Sequence, residues 1–122
     1  MHDERIVSYN MDFQKKSLVI RLYNNIEKKY KRIIFSDVLT HSFKCIIGYN
    51  IIFDICECEI GSFISDNLKE LKEMEGFCWP VDYQTFQDLN SFLVDNQYKY
   101  IKINCSYGMF GWILAKFCEV YG

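Results

Sequence analysis

Alternating apolar and polar positions predict two strands at the start of the chain, and an apolar segment centred on residues 33–35 predicts a third. Residues 7–13 and 18–23 both carry apolar side chains at every second position, and the polar segment 14–17 separates them. This arrangement indicates a β-hairpin, because successive side chains on a strand point to opposite faces. A polar loop at 24–29 then leads into a third strand at 30–36.

The period of the pattern changes after residue 36. Apolar residues then recur at every third or fourth position, and they are Leu39, Phe43, Ile46 and Ile47. Asp37 stands where a helix cap is expected and Gly48 where a helix ends, so we predict a short helix over 37–48. The next segment, 51–58, is rich in isoleucine and predicts a fourth strand.

Two further helices are predicted between residues 62 and 95, because Pro80 prevents a single continuous one. Ser62 is placed to cap the first helix and Gly76 to end it, and Asp82 is placed to cap the second. The apolar stripes are Ile64, Leu68, Leu71 and Met74 in the first helix, and Phe86, Leu89, Phe92 and Leu93 in the second. Each stripe is expected to pack on a sheet.

Two strand-like runs, 98–107 and 111–120, close the chain around a loop that contains Gly108 and Gly111. Glycine allows the positive φ angles that sharp reversals use. The second run has Trp112, Leu114, Cys118 and Val120 on one face and Ile113, Ala115 and Phe117 on the other. A strand that is apolar on both faces is typically covered on both, so we expect this run at the centre of the sheet.

The predicted elements follow the order β-β-β-α-β-α-α-β-β, which is typical of an α+β fold. We therefore expect a largely antiparallel β-sheet of about six strands, with two to three helices packed on one face. A chain of 122 residues has room for one hydrophobic core, so a single domain over 1–122 is predicted.

Charge is distributed unevenly along the chain. The net charge of −2 disfavours direct binding to nucleic acid. Residues 51–95 carry two Lys or Arg against ten Asp or Glu, whereas residues 1–50 carry nine against five and residues 96–122 three against one. The carboxylates expected to face solvent with few cations nearby are Glu57, Glu59, Asp66, Glu70, Glu73 and Glu75. Such an acidic surface steers and holds a basic protein partner.

Six cysteines and His41 raise the question of metal or thiol chemistry. Cys56 and Cys58 lie two apart on a strand, and His41 and Cys45 lie four apart, but this combination of spacings is not a standard zinc motif. No phosphate-binding or nucleophile motif accompanies them. We therefore predict ordinary core cysteines, with no metal, no cofactor and no catalytic residue, and hence a protein that is not an enzyme.

The start of the chain bears on its location. It lacks the basic residues and apolar core of a secretory signal, and no apolar run reaches the ~18 residues of a membrane-spanning helix. Cysteines in a chain without such a signal are expected to stay reduced. We predict a soluble, cytoplasmic protein that does not contact a membrane.

Several apolar and glycine-containing segments stand out as a set that extends over nearly the whole chain. They are Arg5-x-x-Ser8-Tyr9, Ile33-Ile34-Phe35 with Val38 and His41-x-Phe43, Ile51-Ile52-Phe53-Asp54-Ile55, Tyr98-x-Tyr100, and Ser106-Tyr107-Gly108-x-x-Gly111-Trp112-Ile113-Leu114-Ala115. This set resembles a family of small, mostly uncharacterised proteins from low-GC Gram-positive bacteria. Some members of that family look like immunity proteins encoded beside polymorphic toxins.

The resemblance implies a binding protein that blocks a cognate toxin by covering its active site. If the toxin acts on nucleic acid, its groove is basic, and the acidic surface can stand in for phosphates. Tyr107 and Phe110 in the closing loop are expected to act as aromatic anchors. Two alternatives remain open: a small-molecule-binding or enzymatic α+β domain with a cleft near His41, Asp54 and Cys56, and a purely structural subunit.

Overall fold

The computed structural model describes residues 4–74 and 79–122. In this part of the chain there are eight strands and three short helices. The strands are β1 (Glu4–Asp12), β2 (Ser17–Asn24), β3 (Lys29–Ser36), β4 (Thr40–Lys44), β5 (Asn50–Cys58), β6 (Lys99–Tyr107), β7 (Phe110–Ala115) and β8 (Phe117–Tyr121). A 3₁₀ turn (Ile60–Ser62) precedes the helices α1 (Phe63–Asp66), α2 (Leu68–Met74) and α3 (Phe86–Asp95).

All eight strands form one antiparallel sheet in the order β4-β7-β6-β5-β1-β2-β3-β8. The sheet cannot be flat. In a flat sheet β3 and β4 would be six strand spacings apart, about 29 Å, yet the chain between Ser36 and Thr40 spans about 14 Å at most. The sheet therefore curls until its two ends meet. Backbone hydrogen bonds join them, from Leu39 N to Leu114 O (2.8 Å) and from Lys116 N to Ser36 O (3.2 Å).

The inner face of the curled sheet encloses the main hydrophobic core. Its buried members come from six of the eight strands and two connecting segments: Ile6, Leu18, Ile20, Leu22, Ile33, Phe35, Val38, Ile52, Ile101, Ile103, Met109, Ile113 and Ala115. The two end strands contribute the partly buried Phe43 and Cys118, which pack against the same cluster, as expected of a sheet that closes around its own side chains. We call this group the inner core.

The helices cover only part of the outer face of the sheet. They pack on β6 and β7 through a second cluster, which we call the helix-side cluster and which contains Phe63, Leu71, Leu89, Leu93, Tyr100, Trp112 and Leu114. The half-buried Phe86 and Phe92 pack against it, so the predicted apolar stripe of α3 is confirmed. No helix within the described ranges is long and apolar enough to cross a membrane.

The largely antiparallel sheet is confirmed, and its few short helices are compatible with the α+β class, but the number and order of the strands differ from the prediction. The helix predicted over 37–48 is wrong, because residues Thr40–Lys44 form strand β4. Asp37 and Cys45, on either side of it, have φ angles of +52° and +56°, which a right-handed helix does not accommodate. Pairing with β7 over five residues stabilises the strand instead.

The apolar run 111–120 is two strands rather than one, with the break at Lys116. Trp112 faces the helices and Ile113 faces the inner core, as the alternation predicts. Cys118, beyond the break, packs against the inner core and not on the face of Trp112. β7 is covered on both faces as expected, but it lies next to the β4 end of the order and not at its centre.

The helix termini also differ from prediction. The Ser62 hydroxyl donates to the Glu59 carbonyl (2.7 Å) and caps no helix N–H. Asp82 is not the cap of α3, which is Thr85. The Thr85 hydroxyl accepts from the Asp88 N–H (3.1 Å), and the Asp88 carboxylate accepts from the Thr85 N–H (3.3 Å). This is a capping box, in which the side chain of each residue accepts a hydrogen bond from the backbone N–H of the other.

The helix predicted from Ser62 to Gly76 is divided at Asn67 into α1 and α2. The Asn67 N–H donates to the carbonyls of both Phe63 and Ile64 (3.1 and 3.2 Å), which ends α1. The predicted helix end at Gly76 lies outside the described residues.

Candidate functional site

A groove of about 200 Å³ lies between the helices and the outer face of the sheet. One wall comes from α1 and α2 with the residue between them, and the other from β4, β6 and β7. Asp66 and Glu70 line the helical wall, and Lys44 and Lys102 line the strand wall. The fold thus brings carboxylates from the acidic middle of the chain against lysines from its basic ends.

Asp66 is the most fully engaged of these carboxylates. It accepts a hydrogen bond from the buried Tyr100 hydroxyl (3.0 Å) and forms an ion pair with Lys102 Nζ (3.0 Å). The bond to Lys102 lowers the pKa of Asp66 and raises the pKa of Lys102. Burial raises the pKa of the Tyr100 phenol. Asn67 Nδ2 donates to the same phenol oxygen (3.2 Å), so the ring is held from two sides.

Because the pKa of Asp66 is lower in the folded state, its carboxylate stabilises the fold above its ordinary pKa, and this contribution is lost as the pH falls through the folded pKa. Replacing Asp66 with asparagine is expected to cost about 0.5 kcal/mol near neutral pH, a small value because the pair is partly exposed to solvent. The difference from wild type should shrink as the pH falls below the ordinary pKa of an aspartate and vanish below the lowered pKa of the folded state. Urea unfolding at several pH values measures it. Glu73→Gln is the matched control and should show no such dependence, and a pH-independent Asp66→Asn effect would contradict the assignment.

Glu70 has a structural role at the other end of the groove. Its carboxylate accepts a hydrogen bond from Trp112 Nε1 (3.4 Å) and lies 3.5 Å from Lys44 Nζ. Only 17 % of its side chain is exposed. Glu70 therefore links α2 to both β7 and β4, and it is not a free surface charge.

The remaining predicted carboxylates lie in different places. Glu57 on β5 is opposite Ile101, on the inner-face side of the sheet, and lies 3.8 Å from Lys99 Nζ. Glu59 and Glu73 are exposed, and within the described ranges neither forms an ion pair. Glu75 lies outside the described residues.

The prediction of a single, sparsely neutralised acidic surface is therefore wrong for three of the five described carboxylates. Glu57, Asp66 and Glu70 each have a lysine within 4 Å. Those lysines belong to the ends of the chain, so only the tertiary fold brings them to the acidic segment. Glu59 and Glu73 remain as free acidic side chains.

Tyr107 and Phe110 are exposed as predicted, and the fold adds three neighbours that the sequence did not indicate. Ile46, Ile47 and Tyr49, on the loop between β4 and β5, lie at the same end of the molecule as the β6–β7 loop. The five side chains are between 43 % and 57 % exposed. We call them the loop patch. The misassigned helix at 37–48 concealed it, because Ile46 and Ile47 fitted a buried helical stripe.

Asn50 fastens the two loops of the patch together. It is 6 % exposed, and its Oδ1 accepts from the N–H groups of Met109 (2.9 Å) and Ile47 (3.3 Å). Its Nδ2 donates to the Ile47 carbonyl (2.7 Å). Gly108 has φ +88°, and a Cβ there would lie 2.3 Å from Asn50 Oδ1, so only glycine fits. The patch is thus presented on a rigid support.

The predicted cleft near His41, Asp54 and Cys56 does not form as a unit. His41 is opposite Ile113, on the inner-face side of β4, whereas Asp54 and Cys56 are exposed and lie opposite Asn104 and Lys102 on the outer side of β5. Burial lowers the pKa of His41. The groove that the helices and sheet do form is lined by other residues, and its volume of about 200 Å³ is below that of typical small-molecule sites.

The four residues weighed as zinc ligands are likewise separated. Cys56 Sγ and Cys58 Sγ are 3.8 Å apart, and Cys58 packs against the helix-side cluster. His41 lies on the opposite side of the sheet from this pair. Burial raises the pKa of Cys58, which disfavours the thiolate form that binds metal. In the ranges the structure describes, no three His, Cys, Asp or Glu side chains converge on a metal-binding point.

Comparison of the chain with protein-family models, curated proteins and solved structures finds no match. The resemblance to immunity proteins therefore stays a prediction, and the case for function depends on the residues of this chain.

Proposed function

We propose that this protein is a non-catalytic protein-binding module that neutralises a cognate toxin by covering the toxin's active site. The loop patch carries the proposal. Five large apolar side chains that are roughly half exposed on two fastened loops resemble the centre of a protein interface, where aromatic anchors supply most of the binding energy. The charged groove beside it, which shares Phe110 with the patch and is also lined by Lys44, supplies the polar rim.

In this proposal charge has a smaller role than the sequence suggested. Asp66 and Glu70 are already paired, so breaking those pairs to bind a basic toxin would cost the energy of the existing contacts. Glu59 and Glu73 remain free to attract a basic partner and to raise the association rate. Affinity is assigned to the apolar loop patch and steering to these two carboxylates.

The proposed place of action is the cytoplasm. Five of the six cysteines lie in the described residues, and all five are free thiols. Free thiols, two of them exposed, suit a reducing compartment.

The test uses the product of the adjacent gene, prepared as an inactive variant, as the binding partner. The double substitution Tyr107→Ser and Phe110→Ser is expected to weaken binding at least about 100-fold in isothermal titration calorimetry, since truncation of an interface anchor costs about 2 kcal/mol. Thermal unfolding should change little, because both side chains are already well exposed.

Phe13→Ser with Ile26→Ser is the matched control. These two apolar residues are 80 % and 73 % exposed, on turns that carry no part of the loop patch. The control should bind like wild type. The proposed interface would be contradicted if both double variants lost the same amount of affinity, or if Tyr107→Ser with Phe110→Ser bound with wild-type affinity.

A further inference from the structure

The outer face of β1, β2, β3 and β8 is not covered by the helices. The helix-side cluster contains no residue of these four strands. The face carries three arginines and three tyrosines, which are Arg5, Arg21, Arg32, Tyr23, Tyr30 and Tyr121. We call it the arginine–tyrosine face. Arg21 lies between the buried Ile20 and Leu22, so strand alternation directs it away from the inner core.

Every arginine of this face lies against a tyrosine ring. The guanidinium-to-centroid distances are 5.6 Å from Arg5 to Tyr23, 5.4 Å from Arg21 to Tyr30 and 5.7 Å from Arg32 to Tyr121. The rings of Tyr23 and Tyr30 are themselves 4.8 Å apart. The result is an array of flat cationic and aromatic groups across four neighbouring strands.

The positive charge of this array is not balanced by carboxylates. Arg21 on β2 is directly opposite Arg32 on β3, and like charges in such positions destabilise a sheet. Across residues 4–74 and 79–122, no carboxylate forms an ion pair with any of the three arginines. Two described carboxylates share this face by register: Glu119 accepts a hydrogen bond from the Tyr121 hydroxyl, and Asp12 Oδ1 accepts from the backbone N–H groups of Gln14 and Lys15. The adjoining turns carry Lys15, Lys16 and Lys28 against Glu27.

We propose that the arginine–tyrosine face binds single-stranded nucleic acid. Guanidinium groups bind phosphate oxygens in a bidentate manner, and exposed tyrosine rings stack on unpaired bases. An acidic polypeptide would use the arginines and leave the rings without a role, and duplex nucleic acid would offer no free base faces. The net charge of −2 disfavours nucleic-acid binding by the chain as a whole, but residues 1–50, which supply most of the face, carry nine Lys or Arg against five Asp or Glu.

Fluorescence anisotropy with a labelled oligouridine RNA of about 12 nucleotides, at about 50 mM salt, tests the proposal. The double variant Arg21→Gln with Arg32→Gln should bind at least about tenfold more weakly, and its slope of log K against log salt should be smaller by about 1.4. Tyr30→Leu should weaken binding about tenfold through lost stacking. Lys69→Gln with Lys72→Gln, which removes the same charge from α2, should bind like wild type.

Three results would overturn the proposal. The first is failure of the wild-type protein to bind the RNA, and the second is an arginine variant that binds like the lysine control. The third is a polyglutamate peptide that competes as well as unlabelled RNA, together with wild-type binding by Tyr30→Leu. The last result would assign the face to an acidic polypeptide. Circular dichroism of each variant confirms that it is folded, and these results are independent of toxin binding by the loop patch.

Discussion

Replacing Gly111 with alanine is expected to lower the free energy of unfolding by about 3 kcal/mol or more. Gly111 on β7 is opposite Phe43 on β4, and a Cβ at this position would lie 2.9 Å from the Ser42 carbonyl carbon and closer still to its oxygen. Backbone atoms do not rotate away as a side chain can, so the two strands must separate. Loss of the β4–β7 pairing would open the sheet at the junction where its ends meet.

The effect is measured by urea unfolding of the full chain, with the midpoint and the slope fitted together. Gly61→Ala is the control, because nothing lies within 4 Å of a Cβ at that position. It should change stability by less than about 0.5 kcal/mol. If Gly111→Ala has the same free energy of unfolding as Gly61→Ala, then β4 does not approach β7 as closely as described.

Replacing Asn50 with alanine is expected to cost about 3 kcal/mol and to abolish the shape of the loop patch. The substitution removes three hydrogen bonds and leaves the Met109 N–H, which Asn50 satisfies at a buried site, without a partner. An unsatisfied buried donor costs about 1–3 kcal/mol, in addition to the lost bonds. Partner binding should fall together with stability, because the two loops are no longer fastened.

Asn50→Asp separates the two contributions. The aspartate keeps an acceptor for the Met109 N–H but loses the donor to the Ile47 carbonyl, so it should be intermediate between wild type and Asn50→Ala in stability. Thermal unfolding of wild type, Asn50→Asp and Asn50→Ala gives the order of their stabilities. Asn50→Ala with wild-type stability would mean that the two loops hold their positions without this residue.

Local patterns predicted most of the strands correctly. The alternation at 18–23 corresponds to β2, the apolar segment at 30–36 to β3, and the stripe of Leu89 and Leu93 to the buried face of α3. These segments depend on contacts that one face of the element makes with a core. The sequence displays that requirement directly as a period of two or of about 3.6.

Patterns failed where distant pairing decides the conformation. The apolar residues between 39 and 47 have helical spacing, but Thr40–Lys44 form a strand because β7 offers hydrogen-bond partners from Leu114 to Phe110. Likewise Lys116 breaks an apolar run because its N–H binds Ser36 across the closing junction of the sheet. The hydrogen-bond partners of both segments are distant in sequence, so the local spacing of apolar residues cannot predict the pairing.

The candidate site was predictable only in part, for the same reason. Tyr107 and Phe110 were correctly expected to be exposed, since they lie in a glycine-flanked loop. The lysines that pair with Asp66 and Glu70 lie more than 20 positions away, and charge counts along the chain treat them as separate segments. A net charge per segment therefore overstates the field at the surface once the chain is folded.

Hydrogen–deuterium exchange of the chain, alone and bound to the inactive product of the adjacent gene, tests most directly that the loop patch is the binding surface. Amides of residues 45–50 and 106–111 should exchange more slowly in the complex, with weaker protection at α2, which borders the patch, and little change at the arginine–tyrosine face. Unchanged exchange in both loops, with protection elsewhere, would contradict the account.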